Sequence, residues 1–146
     1  MTSTTPSGDH HEQPGRGLDA PFISVDVPFE IARLRAERAY ETEGHAGRTV
    51  TKYPDLRVVL EAMKDGVRLP LHETAERLTL HVILGQLRVW MEFGDNCDLA
   101  EGSLAAIDAA RVHEIECLHE CAFVLTLAWP PSALRAPGDD EEGTGI

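Results

Sequence analysis

The sequence predicts an all-β domain, an antiparallel sandwich or barrel entered through one short helix. Three observations predict it. From Thr49 onward the apolar residues recur with a period of two. The alternating segments are short and separated by turn residues. At 146 residues, 42% of them apolar, the chain can bury one core, which argues for a single domain.

The elements follow in order. Residues 1–20 are rich in Thr, Ser, Pro, Gly and His and almost devoid of apolar side chains. Such a segment cannot offset its own ordering entropy, so a disordered tail is predicted, and its His10 and His11 would be weak metal scavengers at most. The domain is expected to run over 21–135. "DVPFEIARLRAERAYE" reads as one amphipathic helix, with Asp26 as N-cap, Pro28 in the first turn, and Phe29, Ile31 and Leu34 as its apolar positions. "TEGHAGRT" reads as a loop, because Gly44 and Gly47 are breakers. "LRVVLEAM" is a strand and Lys64–Gly66 a turn. "RLTLHVIL" places Leu78, Leu80, Val82 and Leu84 on one face and His81 on the other. Gly85 is expected to break it, with "QLRVWMEF" resuming as the next strand. Gly94–Asp98 reads as a turn, and "SLAAID", "RVHEIEC" and "AFVLTLAW" as strands. Pro130 and Pro131 end the pattern, and 136–146 is predicted to be a disordered acidic tail.

The net charge is −12, of which −2 lies in residues 1–20 and −4 in Asp139–Glu142. Without clustered Lys and Arg, nucleic acid and anionic membrane are excluded as partners. No apolar run approaches the roughly 20 residues that span a bilayer, and no secretory h-region is present. The expected location is the cytoplasm, where Cys97, Cys117 and Cys121 would stay reduced.

The chemistry-bearing stretch is "HEIECLHEC", His113 to Cys121. In one continuous strand His113, Cys117, His119 and Cys121 would share a face but span roughly 26 Å at ~3.3 Å per residue, too far for one ion. On a helix His113, Cys117 and Cys121 would align, but strands flank the segment. It matches neither H-E-x-x-H nor Cys-x-x-Cys. The reading is therefore strand, turn at "LHE", strand. His119 is then a solvated turn residue, Cys121 a small hydrophobe, and Cys117 a face-mate of His113 with Glu114 and Glu116 opposite.

Gly66 to Cys117, about a third of the chain, resembles the two motifs of the cupin family. The first runs Gly, five residues, His, any, His, three or four residues, Glu, six residues, Gly. Here Gly66 precedes "VRLPL" and His72; Thr74 stands at the second His, and Leu78, counted back from Gly85, at the Glu. The second runs Gly, five residues, Pro, any, Gly, two residues, His, three residues, Asn. Here Gly102 precedes "SLAAI"; Asp108 stands for Pro, Ala110 for Gly and Cys117 for Asn, with His113 in place.

The resemblance implies a jelly-roll β-barrel, often a homodimer, with a hairpin around Gly85. It also implies a divalent metal held by three His and one Glu or Gln. Only His72 and His113 keep that role, so a metal (iron, zinc, nickel or manganese) would be weakly held, in a pocket with Thr74, Leu78 and Cys117. Glu73 and Glu76 are close enough in sequence to contribute. The expected function is a small cupin-like protein with a degraded metal site, binding or sensing a small molecule. The alternative is a metal-dependent oxygenase, isomerase or lyase acting on a small organic acid or sugar. His72 and His113 binding an anion as paired imidazoles is a third use of the pocket, and a reactive Cys117 a fourth. Trp90 and Trp129 are expected to serve packing or a subunit interface, and Arg57, Arg77 and Arg88 a solvated or interface face.

Overall fold

The computed structural model describes residues 17–71, 77–108 and 111–128, with Phe93, Val112 and His113 described in their backbone only. Two helices precede seven strands: α1 (Val27–Arg35), α2 (Arg38–Glu43), β1 (His45–Tyr53), β2 (Leu56–Met63), β3 (Arg68–Pro70), β4 (Arg77–Met91), β5 (Asn96–Ala100), β6 (Leu104–Ile107) and β7 (Val112–Ala128). Asp26 caps α1 as expected, its Oδ1 accepting from the Phe29 N–H at 3.1 Å. The single predicted helix is broken at Ala36–Glu37, and Glu37 is extended. The break has a packing reason. Six residues along an unbroken helix would leave Tyr40 about 120° around the axis from Leu34. With the break, Ile31, Leu34 and Tyr40 all pack on Leu60, Ala62 and Ala122.

All strand pairs are antiparallel, in the order β1-β2-β7-β4-β5, with β3 also on β7 and β6 also on β4. β4 and β7 are long enough to serve two half-sheets. Their Arg77–Leu84 and Ala122–Ala128 portions lie with β6 and β2. Their Gln86–Met91 and Val112–His119 portions lie with β5 and β3. Inward residues of both halves, including Val59, Leu80, Leu87, Ile115, Phe123 and Leu125, share one buried apolar cluster. A closed barrel is not formed by the described ladders, because none joins β1 to β3.

Four loop and turn predictions are corrected. "TEGHAGRT" is not a loop: β1 starts at His45, after Gly44 ends α2 at φ 86°. The turn at Gly94–Asp98 is shorter, a 3-10 turn over Glu92–Gly94 after which Asn96 starts β5. The hairpin at Gly85 and the turn at "LHE" are neither hairpin nor turn; both are corners within continuous strands. From Leu84 opposite Ala122 to Leu87 opposite Cys117, β7 uses two more residues than β4. Such extra residues form a bulge that bends the strand. Gly85 has φ 78°. A Cβ there would run into the Glu120 carbonyl and sit 2.8 Å from Cys121 Cα. Glycine therefore marks a close approach of two backbones rather than a chain reversal.

Of the predicted tails, 1–20 and 136–146, residues 1–16 and 136–146 lie outside the described residues, as do Pro130, Pro131, His10, His11 and Trp129, but residues 17–20 are part of the described structure. Leu18 and Ala20 are tied to β1: the Lys52 N–H donates to Leu18 O at 2.8 Å. The Tyr53 hydroxyl donates to Ala20 O at 2.6 Å.

The corner yields a prediction. Gly85→Ala should cost more than about 3 kcal/mol in urea denaturation, because it combines a positive φ with a backbone collision. A loss below about 1 kcal/mol would mean the β4–β7 corner can open without cost.

Candidate functional site

The residues matched to the family's metal motifs separate into two groups. His72, Thr74, Glu73 and Glu76 lie outside the described residues, as does the side chain of His113. Leu78 and Cys117 are described: Leu78 helps line a cavity of about 450 Å³ with Arg77, Ile107, Asp108 and Thr126, whereas Cys117 lines none of the cavities found among the described residues. Leu78 is buried between Leu127 and Ile107 in the apolar cluster. Cys117 is 1% exposed. Its N–H donates to Val67 O at 2.9 Å and its carbonyl accepts from Gly66 N–H at 2.8 Å. Its thiol donates to Met63 O at 3.5 Å.

Where a family member would place a carboxylate, this chain therefore places hydrocarbon. No group of three or more His, Cys, Asp or Glu able to hold a metal occurs among the described residues. Of the four positions that the resemblance assigns to metal ligands, only the Leu78 side chain is described, and it offers no ligand atom.

The strand reading of "HEIECLHEC" is resolved in favour of one continuous strand, β7. Cys117 and Cys121 point into the core, and His119 is exposed at the bulge. A hydrogen bond with Cys117 and burial push the Cys121 thiol up. Neither buried thiol has the open, electropositive setting that a nucleophile needs. Glu114 and Glu116 lie on the opposite face as expected. They bond Arg68 at 2.9 Å and the Trp90 indole N–H at 3.0 Å. Trp90 lies between the Arg68 and Arg88 guanidiniums, 5.3 and 5.9 Å from its ring centre. Its role is packing on the outer face.

His81 is exposed, as its parity requires. Arg77 and Arg88 are ion-paired at the surface with Asp108 and Asp98. Arg57, expected on a solvated or interface face, is not solvated: it is 5% exposed.

What the sequence reading missed is Glu61. β2 turns Val59, Glu61 and Met63 inward, while Leu60 and Ala62 face the helices. Glu61 is 4% exposed. Its Oε1 has no hydrogen-bond partner among the described residues. Across the ladder it meets Gly47 on one side and Phe123 on the other. A Cβ on Gly47 would lie 2.6 Å from Glu61 Cδ. The glycine read as a loop breaker is thus what lets the carboxyl lie over the β1 backbone.

A cavity of about 320 Å³ opens beside it along the edge of β1. Its walls include Glu43 from α2; His45, Gly47 and Thr49 from β1; Val59 and Glu61 from β2; and Leu69 from β3. Its arginine, Arg48, is held by Glu37 and Glu30 on the helix side. Burial raises the Glu61 carboxyl to about 7. An acid poised there can bind a cation, donate to an acceptor, or exchange a proton near neutrality. The signal that could have found it is parity: Glu61 alternates with Val59 and Met63.

This carboxyl sets a pH dependence. Folded Glu61 keeps its proton up to about 7, well above the unfolded value of 4.5. Between these values the folded state binds more protons, so stability falls as pH rises through this window. Glu61→Gln removes the effect. In urea denaturation its stability relative to the parent should rise by about 2 to 3 kcal/mol between about pH 5 and about pH 8. A difference that stays constant would show that the carboxyl titrates normally.

A scan against protein-family models gives no match, and a search of curated proteins gives none either. Solved structures do match. An RmlC-like cupin from Desulfovibrio desulfuricans is 16% identical with a TM-score of 0.60, over 73% of this chain and 96% of that one. KdgF from Halomonas sp. is 18% identical with a TM-score of 0.54, over 63% of this chain and 86% of that one. A mutant of salicylate 1,2-dioxygenase from Pseudoaminobacter salicylatoxidans is 14% identical with a TM-score of 0.67, over 77% of this chain but only 36% of that one. At these identities the likeness is one of architecture, and the fold of this chain is that of the cupin superfamily.

Proposed function

We propose that this chain is a small-molecule binding or sensing module on the cupin fold, with a degraded metal site, and that its ligand enters the cavity beside Glu61. One observation carries the reading. The position that the resemblance assigns to a metal-ligating Glu is Leu78, packed in the core, while the cavity at the edge of β1 holds a buried carboxyl, one oxygen of which has no hydrogen-bond partner among the described residues. Buried polar atoms are normally satisfied, and a ligand is one way to satisfy this one. The reading includes a cytoplasmic homodimer with neither nucleic acid nor membrane as partner. Among the described residues no helix is long and apolar enough to cross a membrane.

The second reading is a metal-dependent enzyme using His72 and His113, with Thr74 and Cys117 beside them. It is favoured by the fold neighbours, which include a dioxygenase. Elemental analysis of tag-free protein separates the two. The binding-module reading expects iron, zinc, nickel and manganese together well below one per chain after desalting. A stoichiometric metal that is lost in the His72→Ala, His113→Ala double variant would overturn it in favour of the enzyme.

A further inference from the structure

We infer that the cavity at the edge of β1 receives a small organic cation, a protonated primary amine on a compact apolar body, with Glu61 as its counter-ion. The inference rests on the proposed function and names its ligand class. Glu61 offers a carboxylate oxygen, buried and without a hydrogen-bond partner among the described residues. An ammonium brings three donors and no acceptor, which is the complement of an ionised carboxylate.

The charges around the cavity favour a cation. α2 contributes Glu43 and, on its approach, Glu37; β1 contributes His45 and Arg48; β2 contributes Glu61; and β3 contributes only Leu69. Arg48 is committed to Glu37 and Glu30. The remaining carboxylates, Glu43 and Glu61, repel an anion and attract an ammonium. Arg57, on the same face of β2 as Glu61, is separated from it along the strand by Val59.

The apolar contribution comes from Val59 and Leu69, which suit a short hydrocarbon body. A cavity of about 320 Å³ is at the small end of ligand sites. Gly47 keeps the approach to the carboxyl clear of a side chain. An unpaired buried carboxylate is costly, and a bound ammonium offsets that cost in a way a neutral ligand does not.

The test uses the full chain, with n-butylammonium as probe and n-butanol and n-butyrate as matched neutral and anionic controls. Amide chemical shifts are followed by NMR. At about pH 8 butylammonium should move the amides of His45, Gly47, Thr49, Glu61 and Leu69, and bind more tightly than either control. Affinity should be about tenfold weaker at about pH 6 than at about pH 8, as Glu61 gains a proton.

Glu61→Gln, first shown to be folded by its thermal transition, should weaken butylammonium by about tenfold or more and leave butanol unchanged. The parent's comparison of probes and its pH profile stand even if that variant does not fold. Equal binding of butanol and butylammonium at these amides would overturn the cation while leaving the site in place. An unchanged affinity in Glu61→Gln, or the absence of a pH effect, would also overturn the cation. If none of the three probes shifts these amides, both this inference and the proposed site fall.

Discussion

The pairing of β7 with strands on both its sides is the constraint on which the rest of the structure depends. One 17-residue strand binds β2 and β4 through its second half and β3 and β4 through its first. Two half-sheets can share such a strand only if it bends. The bend is placed where β7 gains residues relative to β4, against the bare backbone of Gly85. Bulges increase local twist and bend, which is how one long ladder folds over a single core. Glu120, at this corner, is held by the Tyr40 hydroxyl and by the Asp65 carboxyl, which accepts from the Glu120 N–H. The helices, the β2–β3 connection and the corner are therefore tied together at one end of the fold.

The same arrangement gives β2 two covered faces. Alternate residues then go either to the helices or to the core, and the charged side chains of this strand, Arg57 and Glu61, are both buried. The Oε1 of Glu61 has no hydrogen-bond partner among the described residues. Natural cores rarely tolerate an ionisable group in that state without a functional reason, and perturbed carboxyls concentrate at functional sites. The facing Gly47 is the structural accommodation: a β-strand glycine opposite a buried carboxyl serves that carboxyl rather than the strand. Leu78, the position that the resemblance assigns to a metal-ligating Glu, lies in the hydrocarbon core. At Glu61 a carboxyl is buried where hydrocarbon would be expected.

Much of this fold was legible in the chain, for reasons that explain the rest. β2 and β6 were visible because a period of two is unambiguous over a short run. Asp26 was visible because capping needs a specific side chain at a specific place. Gly85, Gly47 and "LHE" were read as interruptions because glycine and polar residues signal turns and bulges alike. Only the partner strand tells them apart. Glu61 escaped notice because both faces of "LRVVLEAM" are largely apolar, so the sequence does not say which face is interior. Of the site that the motif residues His72 and His113 suggested, the described side chains are Leu78 and Cys117, both in the core cluster.

The claim that a buried carboxyl defines the site can be tested without any ligand. Isotope-edited NMR can follow the side-chain carboxyl carbon of Glu61 as pH is varied in the folded protein. The account predicts a midpoint of about 7. A midpoint near the ordinary glutamate value of about 4.3 would show that the carboxyl is solvated, and would contradict the account.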